Sequence, residues 1–333
     1  MNPHTLRRRT VLGGAAAMAG SLLPLVSARA QDTNFPTKPI RLLVPFSAGG
    51  GIDLLARITS ERLAETLGQP VVVENQGGGG GVVASRMVAK AAADGYTLVF
   101  HSVSSAVVNA QVYKDLGYDP IAGFGPVSLV AQFPLVLLVN NNVPAKDLRE
   151  FVALLKANPT KYSYGSSGVG TGIHFAAELF RSIAGVEIQH VPYKGTSAAL
   201  ADLLGGRIEM LIDGVPPQVQ NINSGRVRAL GVTTTTRSSV IPNVPTLAEG
   251  GLAGYDLPFW VGIYAPAGTP RPVVDKLSAA IGKAVRDPAA QTRFKEAGAD
   301  GVGSTSAELD KFWKEQIAVY ARIAKTSNIK LEQ

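Results

Sequence analysis

Apolar residues recur along this chain in short continuous runs separated by stretches of helical spacing, an alternation that predicts an α/β protein. Residues 40–46 (IRLLVPF) form a run of the kind that becomes a strand buried on both faces. Ile52, Leu55, Ala56, Leu63 and Leu67 then share one helical face, and Gly68 and Pro70 supply the stop. A second strand is expected at 71–73, a glycine loop at 77–81, a helix over 83–93 and a third strand over 96–100. Strand, helix, strand, helix, strand implies a parallel sheet with helices on its faces.

The pattern begins again further on. A strand is expected at 135–139, a helix at 148–157, a strand at 162–164 leading into another glycine loop, and a helix at 173–183. A helix at 196–204 and strands at 208–212 and 228–232 follow, then a proline-rich connection over 242–258. Pro272 opens a helix that ends at Asp287 and Pro288, and residues 305–308 (TSAE) form a capping box before the last one. Behind that box Leu309, Phe312, Trp313, Tyr320 and Ile323 fall at helical spacing and are expected in the core. Two similar α/β units suggest two lobes, which suits 333 residues, of which 46% are hydrophobic and only 17% charged.

The start of the chain has a different character. Arg7, Arg8 and Arg9 precede an apolar stretch over 11–26 that ends in Ser27-Ala28-Arg29-Ala30, the order of an export signal cleaved after Ala30. Residues 8–12 (RRTVL) resemble the twin-arginine export motif, and Gly13, Gly14, Gly20 and Pro24 break the stretch too often for a comfortable membrane span. The net charge of +7 shrinks once the signal is set aside. Four of the 32 basic residues lie in the first 30 with no acid among them, leaving 28 against 25, an excess of +3. So small an excess, with aromatics at 7% and no basic stripe between them, does not point to nucleic acid. With no cysteine, thiolate metal sites, disulfides and cysteine nucleophiles are excluded.

The candidate chemistry lies in loops after strands. Residues 45–53 (PFSAGGGID) join a strand to a helix, so their amides can gather at a helix N-terminus that favours an anion; a tight turn capped by Asp53 is the alternative. Asp53 would repel a bound anion, so it is expected to face the loop's own amides, with an ammonium-binding role as the alternative. Residues 164–174 (YGSSGVGTGIH) add hydroxyls and His174, whose neutral ring can donate to a carboxylate. Tyr193 and Lys194 precede a further helix, and residues 101–105 (HSVSS) offer small donors after the third strand. Recurrence in both halves points to a cleft beyond the carboxyl ends of the strands that closes on an anionic ligand.

No P-loop or dinucleotide fingerprint is present: the G-x-G-x-x-G frame from Gly49 meets Leu54 where its third glycine belongs. The histidines (His4, His101, His174, His190) have no zinc-binding spacing. A serine hydrolase would use Ser166 or Ser167 with His174 and Asp213, but the loop lacks the G-x-S-x-G elbow, so no enzyme is expected.

Several long motifs resemble the Bug family, the periplasmic solute-binding proteins of tripartite tricarboxylate transporters. They are PFSAGGGID (45–53), ENQGGGGGVVAS (74–85), DGYTL (94–98), YGSSGVGTGIHFAAELF (164–180), VPYKG (191–195), DLLGGRIEMLIDGVP (202–216), VPTLAEGG (244–251) and APAGTP (265–270). The resemblance implies a two-lobed periplasmic binding protein of type II, a Venus flytrap whose lobes are each a mainly parallel sheet flanked by helices. Lobe 1 would comprise residues 31–132 and 257–333, and lobe 2 residues 133–256. It further implies a monomer in the periplasm, no catalysis, no cofactor and no metal. A small organic acid, mono- or dicarboxylate, aromatic or amino acid included, would be captured and delivered to a membrane permease; a sensor partner of a two-component receptor would use the same clamp.

By this resemblance the first loop grips a ligand carboxyl through Phe46, Ser47, Ala48, Gly49, Gly50 and Asp53, joined by Ser102 and Ser105. The second lobe would contribute Ser166, Gly170, Thr171 and His174, with Tyr193, Lys194 and Asp213 nearby. Family members often carry proline or another small residue where Ser47 and Ala48 stand, a departure that bears on which ligand is bound.

Overall fold

The first apolar run becomes β1 (Ile40–Val44), and α1 (Gly51–Leu67) follows it across the glycine loop. Gly68 ends α1 in the left-handed region at φ 67°, with its N–H on the Ala64 carbonyl. The computed structural model describes residues 34–46 and 48–326. The export signal over 1–30, its cleavage point after Ala30, and Ser47 lie outside the described residues. The body of the fold begins at Pro36.

From there the chain runs through β2 (Val71–Asn75), α2 (Val82–Ala89) and β3 (Thr97–Ser102). The helix expected over 83–93 stops four residues early, because residues 90–95 form a turn in which Asp94 accepts from the Tyr96 N–H at 3.0 Å. After β3 a π-type turn (Ser104–Val108) leads into the short α3 (Asn109–Val112) and then β4 (Phe124–Phe133). The second half holds β5 (Leu135–Val139), α4 (Leu148–Ala157), β6 (Ser163–Ser166), α5 (Gly172–Ala184), β7 (Gln189–Pro192) and α6 (Thr196–Leu204). It closes with β8 (Met210–Gly214), α7 (Val215–Asn223) and β9 (Arg228–Val232). β10 (Phe259–Pro266), α8 (Arg271–Arg286), α9 (Pro288–Glu296), β11 (Asp300–Gly301) and α10 (Ser306–Thr326) return to the first half.

The strands form two sheets, in the orders β11-β4-β10-β3-β1-β2 and β7-β6-β8-β5-β9. As expected, most strands in each sheet point the same way, with β10 and β11 reversed in the first sheet and β5 in the second. β1 pairs parallel with β2 and β3, and β6 parallel with β7 and β8, as β-α-β units dictate. β10 runs antiparallel to β3 and β4, and β5 antiparallel to β8 and β9. Strands beside the passages between halves enter their sheet from the opposite end, which reverses their direction.

Strands β5, β8 and β10 are buried at every position, and the last helix covers the first sheet with Leu309 and Trp313, while its Tyr320 packs on Phe175 of α5 at 5.6 Å. Its capping box forms as expected: Thr305 Oγ1 accepts from the Glu308 N–H at 3.2 Å, and Glu308 accepts from the Thr305 N–H at 2.8 Å. No helix among the described residues is long and apolar enough to cross a membrane.

Candidate functional site

The parallel strands β1 and β3 of one sheet, and β6 and β8 of the other, end at loops that line a shared cleft or its side chamber. On the first side Gly49, at φ 83°, turns the chain so that its N–H donates to Asp53 Oδ2 at 2.9 Å. Arg57 Nε donates to the same oxygen at 3.0 Å, and Asn75 Nδ2 bridges Asp53 Oδ1 at 3.0 Å and the Phe46 carbonyl at 3.1 Å. Burial raises the Asp53 carboxyl, but the Arg57, Gly49 and Asn75 donors outweigh it and hold the group below its ordinary range. Asp53 therefore faces the loop's own amides, as the sequence predicts, and fixes the loop's shape.

Gly50 caps α1 without a side-chain bond, and Gly195 does the same for α6. Both helix starts line the cleft, so first-turn amides, which have no intrahelical acceptor, are presented there with the positive ends of two helix dipoles. Lys194 is the only cationic side chain among the described lining residues. The cleft has a volume of about 660 Å3 and also takes in Ala48, Gly170 and Thr171. Among the described residues no cluster of three His, Cys, Asp or Glu is arranged to hold a metal ion.

Thr171 caps α5, accepting from the His174 N–H at 3.3 Å and donating to the Gly168 carbonyl at 2.9 Å. Behind this loop the buried His174 accepts the Gly170 N–H on Nδ1 at 3.1 Å, which places its own proton on Nε2. His190 Nε2 shares a 2.7 Å hydrogen bond with Ser166 Oγ. Burial, with His190 and Arg181 nearby, drives His174 down to about 3, so its ring stays neutral.

Several sequence-predicted residues are thus not brought to the cleft wall. His174 and Ser166 lie behind the second loop, and Ser166 is fully enclosed. The Tyr193 hydroxyl is spent on Asp202 Oδ2 at 2.8 Å. Ser102 and Ser105 are buried, the latter hydrogen-bonded to His101 Nδ1 at 2.8 Å. Ser104 lines the cleft in their place, because the π-type turn starting there turns it outward, and its Oγ accepts the Gly172 N–H from the other half at 3.2 Å. Asn109, Tyr113 and Phe259 also line the cleft and were missed; none sits in a glycine loop that would mark it. Ser104 did stand within the flagged serine cluster.

Asp213, at the end of β8, lines a smaller chamber of about 180 Å3 that shares Gly51, Ile52, Ile173, Thr196 and Phe259 with the main cleft. Its Oδ1 accepts the Gly214 N–H at 2.8 Å and its Oδ2 accepts Gln218 Nε2 at 2.7 Å. Burial outweighs these bonds and lifts its carboxyl to about 6.

Two α/β halves, with glycine loops and helix N-termini meeting at a cleft, define a two-lobed periplasmic binding protein of type II. Residues 55–329 match the tripartite tricarboxylate transporter family receptor, and the chain belongs to that family. It is 42% identical over 312 residues to a Pseudomonas sp. (strain P51) protein encoded in the tcbD-tcbE intergenic region, covering 93% of this chain and 91% of that one. Protein BugT of Bordetella pertussis is 36% identical over 327 residues, 98% and 99% of the two chains. Among solved structures, an R. palustris protein with adipate superposes at TM-score 0.82 with 35% identity, covering 89% and 100%. MatC from Rhodopseudomonas palustris with bound malate superposes at 0.76 with 32% identity, covering 87% and 99%.

Proposed function

We propose that this protein is an exported periplasmic receptor that captures a small organic carboxylate between its lobes and delivers it to the membrane permease of a tripartite tricarboxylate transporter. The observation that carries this is the pairing of two helix N-termini without side-chain caps, α1 and α6, with Lys194 around one cleft. Charge-assisted hydrogen bonds contribute about 1.5 to 3 kcal/mol each, so three or four of them, less ordering costs, suffice for micromolar binding near ~8 kcal/mol. Family membership and the adipate and malate complexes of similar proteins support the same ligand class.

Lobe 1 would comprise residues 31–132 and 257–333 and lobe 2 residues 133–256, in keeping with the division of strands between the sheets except at Phe133, which ends β4 and pairs with Phe259. The lining residues Ala48, Gly49, Gly50, Gly170, Thr171 and Lys194 would meet the ligand, while Asp53 and His174 hold the loops that do. A binding role rather than a hydrolytic one suits the enclosed Ser166, whose hydroxyl meets a histidine but no open space.

Mass spectrometry of small molecules released from the purified protein, followed by a thermal-shift screen of mono-, di- and tricarboxylates and amino acids, tests the ligand class. A released acid that raises the melting temperature is expected. If no acid shifts melting, the carboxylate clamp is wrong. For the permease step, cells lacking this gene should lose uptake of that acid, and undiminished uptake would count against delivery.

A further inference from the structure

The small chamber beside the cleft differs in chemistry from the cleft itself. Its walls are Ile52, Leu55, Phe133, Ile173, Pro217 and Phe259, and Thr196 and Asp213 are the only polar side chains among its described lining residues. The Phe133 and Phe259 rings lie 5.1 Å apart and tilted by 31°. At about 180 Å3 the chamber is close in size to an engineered apolar cavity of about 150 Å3 that takes up benzene.

The polar end of this chamber has almost nothing left to donate. α7 begins there, yet Pro216 and Pro217 have no N–H. The Gly214 N–H is spent on Asp213 Oδ1, the Val215 N–H on the Pro134 carbonyl at 3.2 Å, and Gln218 Nε2 on Asp213 Oδ2. The Thr196 hydroxyl lines the same chamber. A carboxylate offers about four lone-pair sites, so the Gly214 and Gln218 donors leave Asp213 about two acceptor positions. A second carboxylate placed in the chamber would find no cationic side chain among the described lining residues and would face Asp213, a like charge.

We propose that the ligand is a monocarboxylic acid held by its carboxyl at the glycine loops and Lys194, with an apolar body the size of one six-membered ring in the chamber and a hydrogen-bond donor at its far end read by Asp213. This rests on the carboxylate-receptor function above and narrows it to a ligand class, with Asp213 as the residue that sets specificity. A site built to accept a hydroxyl rejects the analogue that lacks it, because desolvation of Asp213 would then go uncompensated.

Calorimetry on the mature protein with benzoate, 4-hydroxybenzoate, terephthalate, adipate and malate tests this, together with Asp213→Asn. The hydroxy acid is expected to bind at least about tenfold tighter than benzoate, and terephthalate and adipate at least about tenfold weaker than the hydroxy acid. In Asp213→Asn, whose melting temperature checks folding, the preference for the hydroxyl should shrink to about threefold or less. Tight binding of malate or adipate with none of the ring acids would overturn the proposal while leaving the carboxylate receptor standing. Equal affinity for benzoate and 4-hydroxybenzoate would overturn the role of Asp213, and no binding by any acid would overturn both functions together.

Discussion

His174 and His190 stack with ring centroids 4.1 Å apart and planes within 11°, and each grips the second-lobe loop from behind. Both rings are held neutral. Burial is the main cause, opposed at His190 by Glu178 and reinforced by Arg181; His101, buried in the first half, is likewise driven down to about 3. An unfolded histidine titrates near ~6.5, so below that pH the unfolded chain binds protons that the folded one refuses. Stability is therefore full above about pH 6.5 and is lost as pH falls towards the folded values, by up to about 1.4 kcal/mol per pH unit for each histidine. Urea unfolding at pH 7 and pH 4.5 should show this loss, and His174→Asn, whose amide oxygen replaces Nδ1 as acceptor for Gly170, should reduce it. An identical loss in the variant would mean that His174 titrates normally.

Asp53→Asn keeps an acceptor for the Gly49 amide and Arg57 Nε but removes the charge facing Arg57 and turns an NH2 group towards the Asn75 amide, a donor against a donor. Stability should fall by about 1 to 2 kcal/mol. Because the loop's shape is what suffers, affinity should drop for every acid alike, by roughly tenfold, when amino and non-amino acids are titrated side by side. A drop confined to amino acids would instead assign Asp53 to a ligand ammonium.

Thr171→Ala removes the α5 cap and the tie to the Gly168 carbonyl together. The cap alone contributes about 1 kcal/mol, so a fall of about 2 to 4 °C in melting temperature is expected without loss of the fold. Ligand affinity should weaken as the loop loosens, and Thr171→Ser should restore both. If calorimetry finds the alanine variant binding as wild type does, Thr171 caps a helix and does nothing for the ligand.

Much of this was legible in the sequence wherever a local signal matched its outcome. The glycine stop after α1, the Thr305–Glu308 box and the loop-facing Asp53 each depend on residues within four positions of one another. Strands β4 and β10 were not foreseen: β10 (FWVGIYAP) is buried at all positions and so shows no alternation, and Gly262, Pro266 and Pro126 look like breakers. α7 was hidden by Pro216 and Pro217, which here occupy its first turn, where a missing N–H costs nothing. At the site, sequence found the loops but not which side chains face inward. Ser104 and Ser105 are neighbours of the same type, and only the π-type turn decides that Ser104 meets the cleft.

Gly172 sets two local preferences against each other. It stands at the start of α5 with its N–H on Ser104 Oγ of the other half, and an added Cβ would lie 3.0 Å from Phe259 Cε2, 3.1 Å from Val103 Cγ1 and 3.3 Å from Ser104 Oγ. Helix propensity alone favours alanine over glycine by up to about 1 kcal/mol, so Gly172→Ala should leave the melting temperature of the free protein level or slightly raised. The three contacts all belong to the opposite half, so the new methyl is relieved by spreading the cleft a few tenths of an ångström rather than by unfolding. Affinity for the identified acid should then fall several-fold while the fold persists, and the ligand-saturated variant should scatter X-rays with a larger radius of gyration than the ligand-saturated wild type. Unchanged affinity and radius would mean that Phe259 and Val103 yield locally and that the contact at Gly172 does not limit closure.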